Sequence, residues 1–167
     1  MRLALYCFLG SFPATGFAAN HSFDIGKGLM AVDSTYFSKH DLVYGAPNSS
    51  PAQAIPVANG KVGAMIWNDS GLTMQVTNVD ASPQTQISSG LGRLLISPSP
   101  SSQSSVFEQR LNLYDGMVTQ RIGNGFTATV FASDTTEMIG IHIDDLRPGV
   151  TSVIFELALW TSPIPPD

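Results

Sequence analysis

The feature that most limits what this chain can fold into is a two-residue alternation of apolar and polar side chains, repeated in short runs. Leu72-Thr73-Met74-Gln75-Val76-Thr77 alternates strictly, inside a run that continues to Val79. Phe126-Thr127-Ala128-Thr129-Val130-Phe131 does the same until its last residue, and Met138 to Ile143 alternates large and small residues. A period of two places every second side chain on one face of a strand, so these runs read as half-buried strands. Asn68-Asp69-Ser70-Gly71, Asp115-Gly116 and Asn124-Gly125 separate them, and each offers residues that tolerate the tight turn of a hairpin. Further strands are expected at 62–67, 91–97, 107–114, 117–122 and 153–160. No stretch keeps a 3.6-residue apolar period over three turns. The expected fold is therefore all-β, an antiparallel β-sandwich, with Leu72, Met74, Val76, Phe126, Ala128 and Val130 pointing inward.

Charge narrows the function classes. The net charge is −5 and only eight Lys and Arg residues are present, scattered along the chain. A phosphate-binding or membrane-surface face needs them clustered, so neither nucleic acid nor a membrane is an expected partner. Charged residues make up 13% of the chain, against about 25% in ordinary globular proteins. Ser, Thr, Asn and Gln supply the polar surface instead, a balance common in extracellular β proteins.

The N-terminus agrees with export. Met1-Arg2 is followed by the apolar stretch Leu3 to Phe12, then Pro13, then Gly16-Phe17-Ala18 with small residues where a signal peptidase cuts. Residues 1–18 read as a signal peptide, 19–52 as an irregular lead, 53–160 as the sandwich, and 161–167 as a Pro-rich linker or truncated end. Cleavage after Ala18 would remove Cys7, the single cysteine, so stability has to come from packing. Asn20, Asn48 and Asn68 each begin an Asn-x-Ser triplet, a glycosylation signal in a secreted chain.

Four sequence elements occur in a characteristic order: Pro56-Val57-Ala58-Asn59-Gly60-Lys61-Val62-Gly63-Ala64-Met65, Leu72 to Asp80, Phe107 to Gly116, and Val130-Phe131-Ala132-Ser133. Together with the lead Leu42-Val43-Tyr44-Gly45-Ala46-Pro47, they resemble the N-terminal domain of glycoside hydrolases of family 95 and related six-hairpin glycosidase-like proteins. The resemblance spans residues 41–160. It implies a sandwich of the super-sandwich type, here incomplete, standing before a catalytic six-hairpin α-barrel that this chain lacks. Ala58 stands where the signature has its first glycine, and Ala81-Ser82 lacks a tryptophan common in that family, which weakens a binding role for that corner.

The candidates for chemistry are few. A glycosidase needs two carboxyl groups roughly 5–10 Å apart across the scissile bond. Asp144-Asp145 is the obvious pair, but neighbours on a strand point to opposite faces, so it reads as a turn-flanking pair. His21, His40 and His142 show no metal-ligand spacing. The glycines around Asn59-Gly60-Lys61 precede a strand rather than a helix, which argues against a phosphate loop. No catalytic residue, cofactor or metal is expected. Asn59, Trp67 and Asp80 remain as candidates for a carbohydrate or interdomain contact.

The expected function is thus a non-catalytic front domain of a secreted glycoside hydrolase, with a downstream catalytic barrel as its partner. The alternative is a free-standing carbohydrate-binding or surface-adhesion module, and a third reading is a truncated gene product without activity. A sandwich short of strands is also expected to expose an edge through which it self-associates.

Overall fold

The computed structural model describes residues 6–9, 22–25, 28–31, 34–81, 91–101, 106–149 and 151–159. The expected cleavage site at 16–18, Asn20, Trp160 and the Pro-rich end lie outside these residues. Among the described residues thirteen strands occur in chain order: β1 Tyr6–Leu9, β2 Ser22–Ile25, β3 Gly28–Ala31, β4 Leu42–Tyr44, β5 Ile55–Ala58, β6 Val62–Asn68 and β7 Leu72–Asn78. They continue with β8 Gly92–Ser99, β9 Phe107–Asn112, β10 Met117–Ile122, β11 Phe126–Ala132, β12 Ile139–Asp145 and β13 Ser152–Leu159. Helix among the described residues is the five-residue α1, Ser34–Ser38, and two single turns at Pro51–Gln53 and Val79–Ala81. Among the described residues no helix is long and apolar enough to cross a membrane.

Two sheets face each other. One has the order β1-β12-β11-β10-β9-β4 and the other β13-β8-β7-β6-β5; β2 and β3 form a separate hairpin. All pairings in the two layers are antiparallel except β1 on β12, which is parallel. β1 falls within the stretch read as a leader, and the stretch read as an irregular lead holds the β2–β3 hairpin, α1 and β4. The strand expected at 107–114 ends at Asn112, because Leu113-Tyr114 begins the hairpin turn to β10.

Alternation decides the core. Leu72, Met74, Val76, Phe126, Ala128 and Val130 are all buried, none more than 6% exposed. Following the register across the five-stranded sheet, Ile55 pairs with Ile66, Ile66 with Met74, Met74 with Leu94 and Leu94 with Leu157. These side chains share one face, since directly opposite residues in a ladder point the same way. Their exposures are 0, 0, 0, 2 and 61%. The burial stops abruptly at β13.

The cause is an offset between the layers. β5 packs over β10 and β11, and β6 over β12, so β13 projects past the opposite sheet. At the other end β4 projects past β5: Leu42 faces inward beside Leu111 yet is 42% exposed.

One inward pair is polar. Gln109 and Gln120 lie opposite each other on β9 and β10, both fully buried, and Gln109 Nε2 donates to Gln120 Oε1 at 3.0 Å. Gln109 Oε1 and Gln120 Nε2 have no protein partner. An unpaired buried amide costs more than an apolar replacement of similar shape. Gln109→Leu alone, which strands the whole Gln120 amide, is expected to lower unfolding free energy by about 2 kcal/mol. The double variant Gln109→Leu with Gln120→Leu is expected to recover most of that loss. Urea unfolding of the three proteins decides it, and costs that simply add in the double variant would refute it.

Candidate functional site

Asn59 turns out to be the knot of one end of the sandwich. Its Oδ1 accepts hydrogen bonds from the backbone N–H groups of Lys61 and Val62, both at 2.9 Å, which fixes the β5–β6 turn. Asparagine suits this place because its short side chain reaches its own backbone two residues on, and Gly60 next to it takes the positive φ of +92°. The Nδ2 of Asn59 donates across to the opposite layer, to Ser133 O at 2.6 Å and Thr136 O at 2.9 Å, in the β11–β12 connection. One side chain therefore ties two of the four sequence elements noted above, with all four of its bonds made to backbone.

Beside it, Lys61 and Glu137 form an exposed ion pair at 2.7 Å. The hydrogen bond between them, then the Coulomb attraction, raises the lysine and lowers the carboxyl from their usual values. Asp80 lies at the same corner: Val79 N donates to Lys61 O at 2.9 Å, and the Asp80 charge adds to the field on Lys61. Asp80 itself is exposed and receives its turn from Asn78 Oδ1, which accepts from its backbone N–H at 2.8 Å.

Trp67 is elsewhere. It sits near the far end of β6 from Val62, roughly 16 Å along the strand at 3.3 Å per residue. Its ring is 4% exposed, and the Arg93 guanidinium carbon lies 6.0 Å from the ring centroid. The corner thus brings Asn59 and Asp80 together and leaves Trp67 apart, without an open ring face.

The carboxylates of Asp145 and Asp41 are committed to structure. Asp145 holds the Arg147 side chain in a two-pronged pair, Nε to Oδ1 and Nη2 to Oδ2, both at 2.7 Å. Those bonds, first of all causes, lower the Asp145 carboxyl and raise Arg147. Arg147 also donates to the carbonyls of Pro100 at 2.6 Å and Ser152 at 3.2 Å, joining the ends of β8, β12 and β13. Asp144 points to the other face, its Oδ2 3.6 Å from His142 Nδ1. The adjacent carboxylates therefore do not face one another across a common space. Asp41 accepts from Arg110 at 3.2 Å and from Leu113 N at 3.0 Å, fastening the lead to the β9–β10 hairpin. Among the described residues no group of three His, Cys, Asp or Glu side chains is placed to hold a metal ion. Asn48 is also engaged: its Nδ2 donates to Gln53 O at 3.0 Å and its Oδ1 accepts from Asn68 N at 3.1 Å, both asparagines being nearly buried.

Two further surface features bear on function. One is an open depression of about 250 Å³ between α1 and the β9–β10 turn, lined by Ser34, Thr35, Ser38, Asn112, Tyr114 and Asp115. Asn112 there braces its own turn, donating to Asp115 Oδ2 at 2.7 Å and accepting from the backbone of Tyr114 and Asp115. The other is β13. Its inward residues Phe155, Leu157 and Leu159 are 41, 61 and 66% exposed, and Ile154 on the opposite face is 46% exposed. Apolar side chains on both faces belong to a strand covered on both sides, whereas β13 is the edge of its sheet. Sequence reasoning located the strand; it missed that the register would carry it beyond the facing layer.

The fold and its surface define a two-layer β-sandwich module with its polar side chains given to internal ties and one apolar edge strand left open. The domain of unknown function DUF5703, in its N-terminal part, matches residues 43–160, and the chain belongs to that family. The match names no activity and carries no link to glycoside hydrolase family 95. Neither the curated proteins nor the solved structures contain a match.

Proposed function

We propose that this chain is the non-catalytic N-terminal β-sandwich domain of a secreted carbohydrate-processing protein, exported after cleavage behind Ala18, and that it supports a following catalytic domain. The observation that carries the reading is β13: an apolar stripe on the core face, Phe155, Leu157 and Leu159, that stays 41–66% exposed. Exposed apolar patches of this kind mark interfaces. The occupant fits a further domain of the same polypeptide for two reasons. The family is defined as an N-terminal part, and β13, the last described strand, ends at Leu159 inside the stripe, so a domain following on the same chain would be held near it at high effective concentration. The glycoside hydrolase assignment rests on the four sequence elements.

The purified chain is expected to bind a hydrophobic dye, and to turn over aryl fucosides, galactosides and glucosides no faster than buffer. The same chain extended by its natural continuation should lose the dye signal. Turnover abolished by Asp144→Asn or Asp145→Asn would overturn the non-catalytic reading; a chain that ignores the dye would overturn the docking one. A second reading, a carbohydrate-binding module, is favoured by the open depression with the Tyr114 ring in its wall. Retention on a polysaccharide column that is lost in Tyr114→Ala, with no dye binding, would put it first.

A further inference from the structure

We infer that β13 is a strand-addition edge, and that in the isolated chain a second copy of β13 occupies it, in antiparallel register centred on Phe155. This rests on the reading of β13 as a docking surface and specifies how the surface is met.

The sheet edges differ in their defences. An unpaired edge is a template for another strand unless it is short, charged or broken by proline. β5 is four residues long and carries Pro56. β4 has three residues and β1 four. β13 has eight residues, no proline and one charge, Glu156. At about 3.4 Å per residue it offers roughly 27 Å of backbone with no described strand on its outer side. A strand added at the edge sets its own side chains beside those on both faces of β13, whereas a body resting on one face alone leaves Ile154 or the Phe155–Leu159 stripe in water.

Symmetry selects the register. Two copies related by a two-fold axis perpendicular to the sheet keep their inward faces on the same side. Opposite residues must then share parity, so the axis passes through a residue rather than between two. With the axis at Glu156 the two carboxylates stand directly opposite, which is destabilising. Axes at Ile154 or Leu157 shorten the overlap to 152–156 or 155–159. An axis at Phe155 pairs all of 152–158: Phe155 meets its own copy, Val153 meets Leu157, and Glu156 meets Ile154 of the second copy, away from the other carboxylate. The inward stripes of the two molecules then form one continuous apolar band.

The test uses the chain itself, in sedimentation at micromolar concentration with parallel dye binding. Three results together carry the inference. The chain dimerises reversibly. Leu157→Lys, at a position too exposed to be needed for folding, weakens the dimer about tenfold or more by placing a charge in the band. In a Cys7→Ser background, Phe155→Cys oxidises to a disulfide-linked dimer faster than Glu156→Cys, since opposite Cα atoms in a ladder lie within disulfide reach. A dimer insensitive to Leu157→Lys, or cross-linked best through Glu156→Cys, overturns the inference. A monomer that binds the dye also overturns it while leaving the docking reading intact, and a monomer that ignores the dye sinks both.

Discussion

Replacing Phe126 with alanine lowers the unfolding free energy by about 4 kcal/mol, the largest single-residue effect expected in this domain. Phe126 is 1% exposed on the inward face of β11 and is the largest fully buried side chain. Its removal loses the transfer energy of the ring and leaves a void that a sandwich held by two rigid ladders closes only in part. The ring also carries the Arg147 guanidinium 5.7 Å from its centroid. The cavity therefore opens directly beneath the junction of β8, β12 and β13. Chemical denaturation measures the loss; a cost below about 1.5 kcal/mol would show that the site collapses freely and that the layers are less rigid than their registers indicate.

Arg147→Met is expected to cost about 2–3 kcal/mol near neutral pH, somewhat below a fully buried ion pair because both side chains keep slight exposure, 11 and 13%. The methionine retains the apolar stem over Phe126 and removes only the charged head. Asp145 then loses the two 2.7 Å bonds that hold its charge, and the carbonyls of Pro100 and Ser152 lose their donor. The pH dependence has a definite sign. Arg147 lowers the Asp145 carboxyl below its ordinary value of 3.8. The stability this pair supplies is complete above that ordinary value and drains away as pH falls through the lower, folded value. The difference between wild type and Arg147→Met should accordingly be flat from neutral pH down to about 4 and shrink below it. A difference that grew on acidification would mean that Asp145 is not the partner that matters.

The strands were legible in the sequence where local pattern and tertiary environment agree. Leu72 to Val76 and Phe126 to Val130 announced both their conformation and their buried face, because one side of each strand meets the core along its whole length. β5 was not legible: Pro56 argues against a strand, and only its edge position, where a missing N–H is tolerated, reconciles the two. Gln109 and Gln120 occupy the parity that Leu111, Val118 and Ile122 define as inward, so their burial could have been read from the alternation. Asn59 shows the limit. Its turn-forming half is local to Asn59-Gly60, whereas its bonds to Ser133 and Thr136 join residues 74 and 77 positions away. No local pattern reports a partner at that distance. The same holds for Trp67, which was weighed as a contact and is buried by its surroundings, and for the offset of the layers, a property of two sheets together.

The order of synthesis gives the bare edge a further meaning. Among the described residues the last fully buried apolar side chain is Ile143, so nearly all of the core, short of the partly buried Val153, is present in the chain before β13 leaves the ribosome. The sandwich can close on itself while β13 and any continuation are still being made, in keeping with the tendency of domains to fold as units from the N-terminus. β13 then arrives late, laying its backbone against β8 with its side chains from Ile154 to Leu159 still exposed. Its eight residues pair along β8, and its outer side offers an edge on which a further strand can be added.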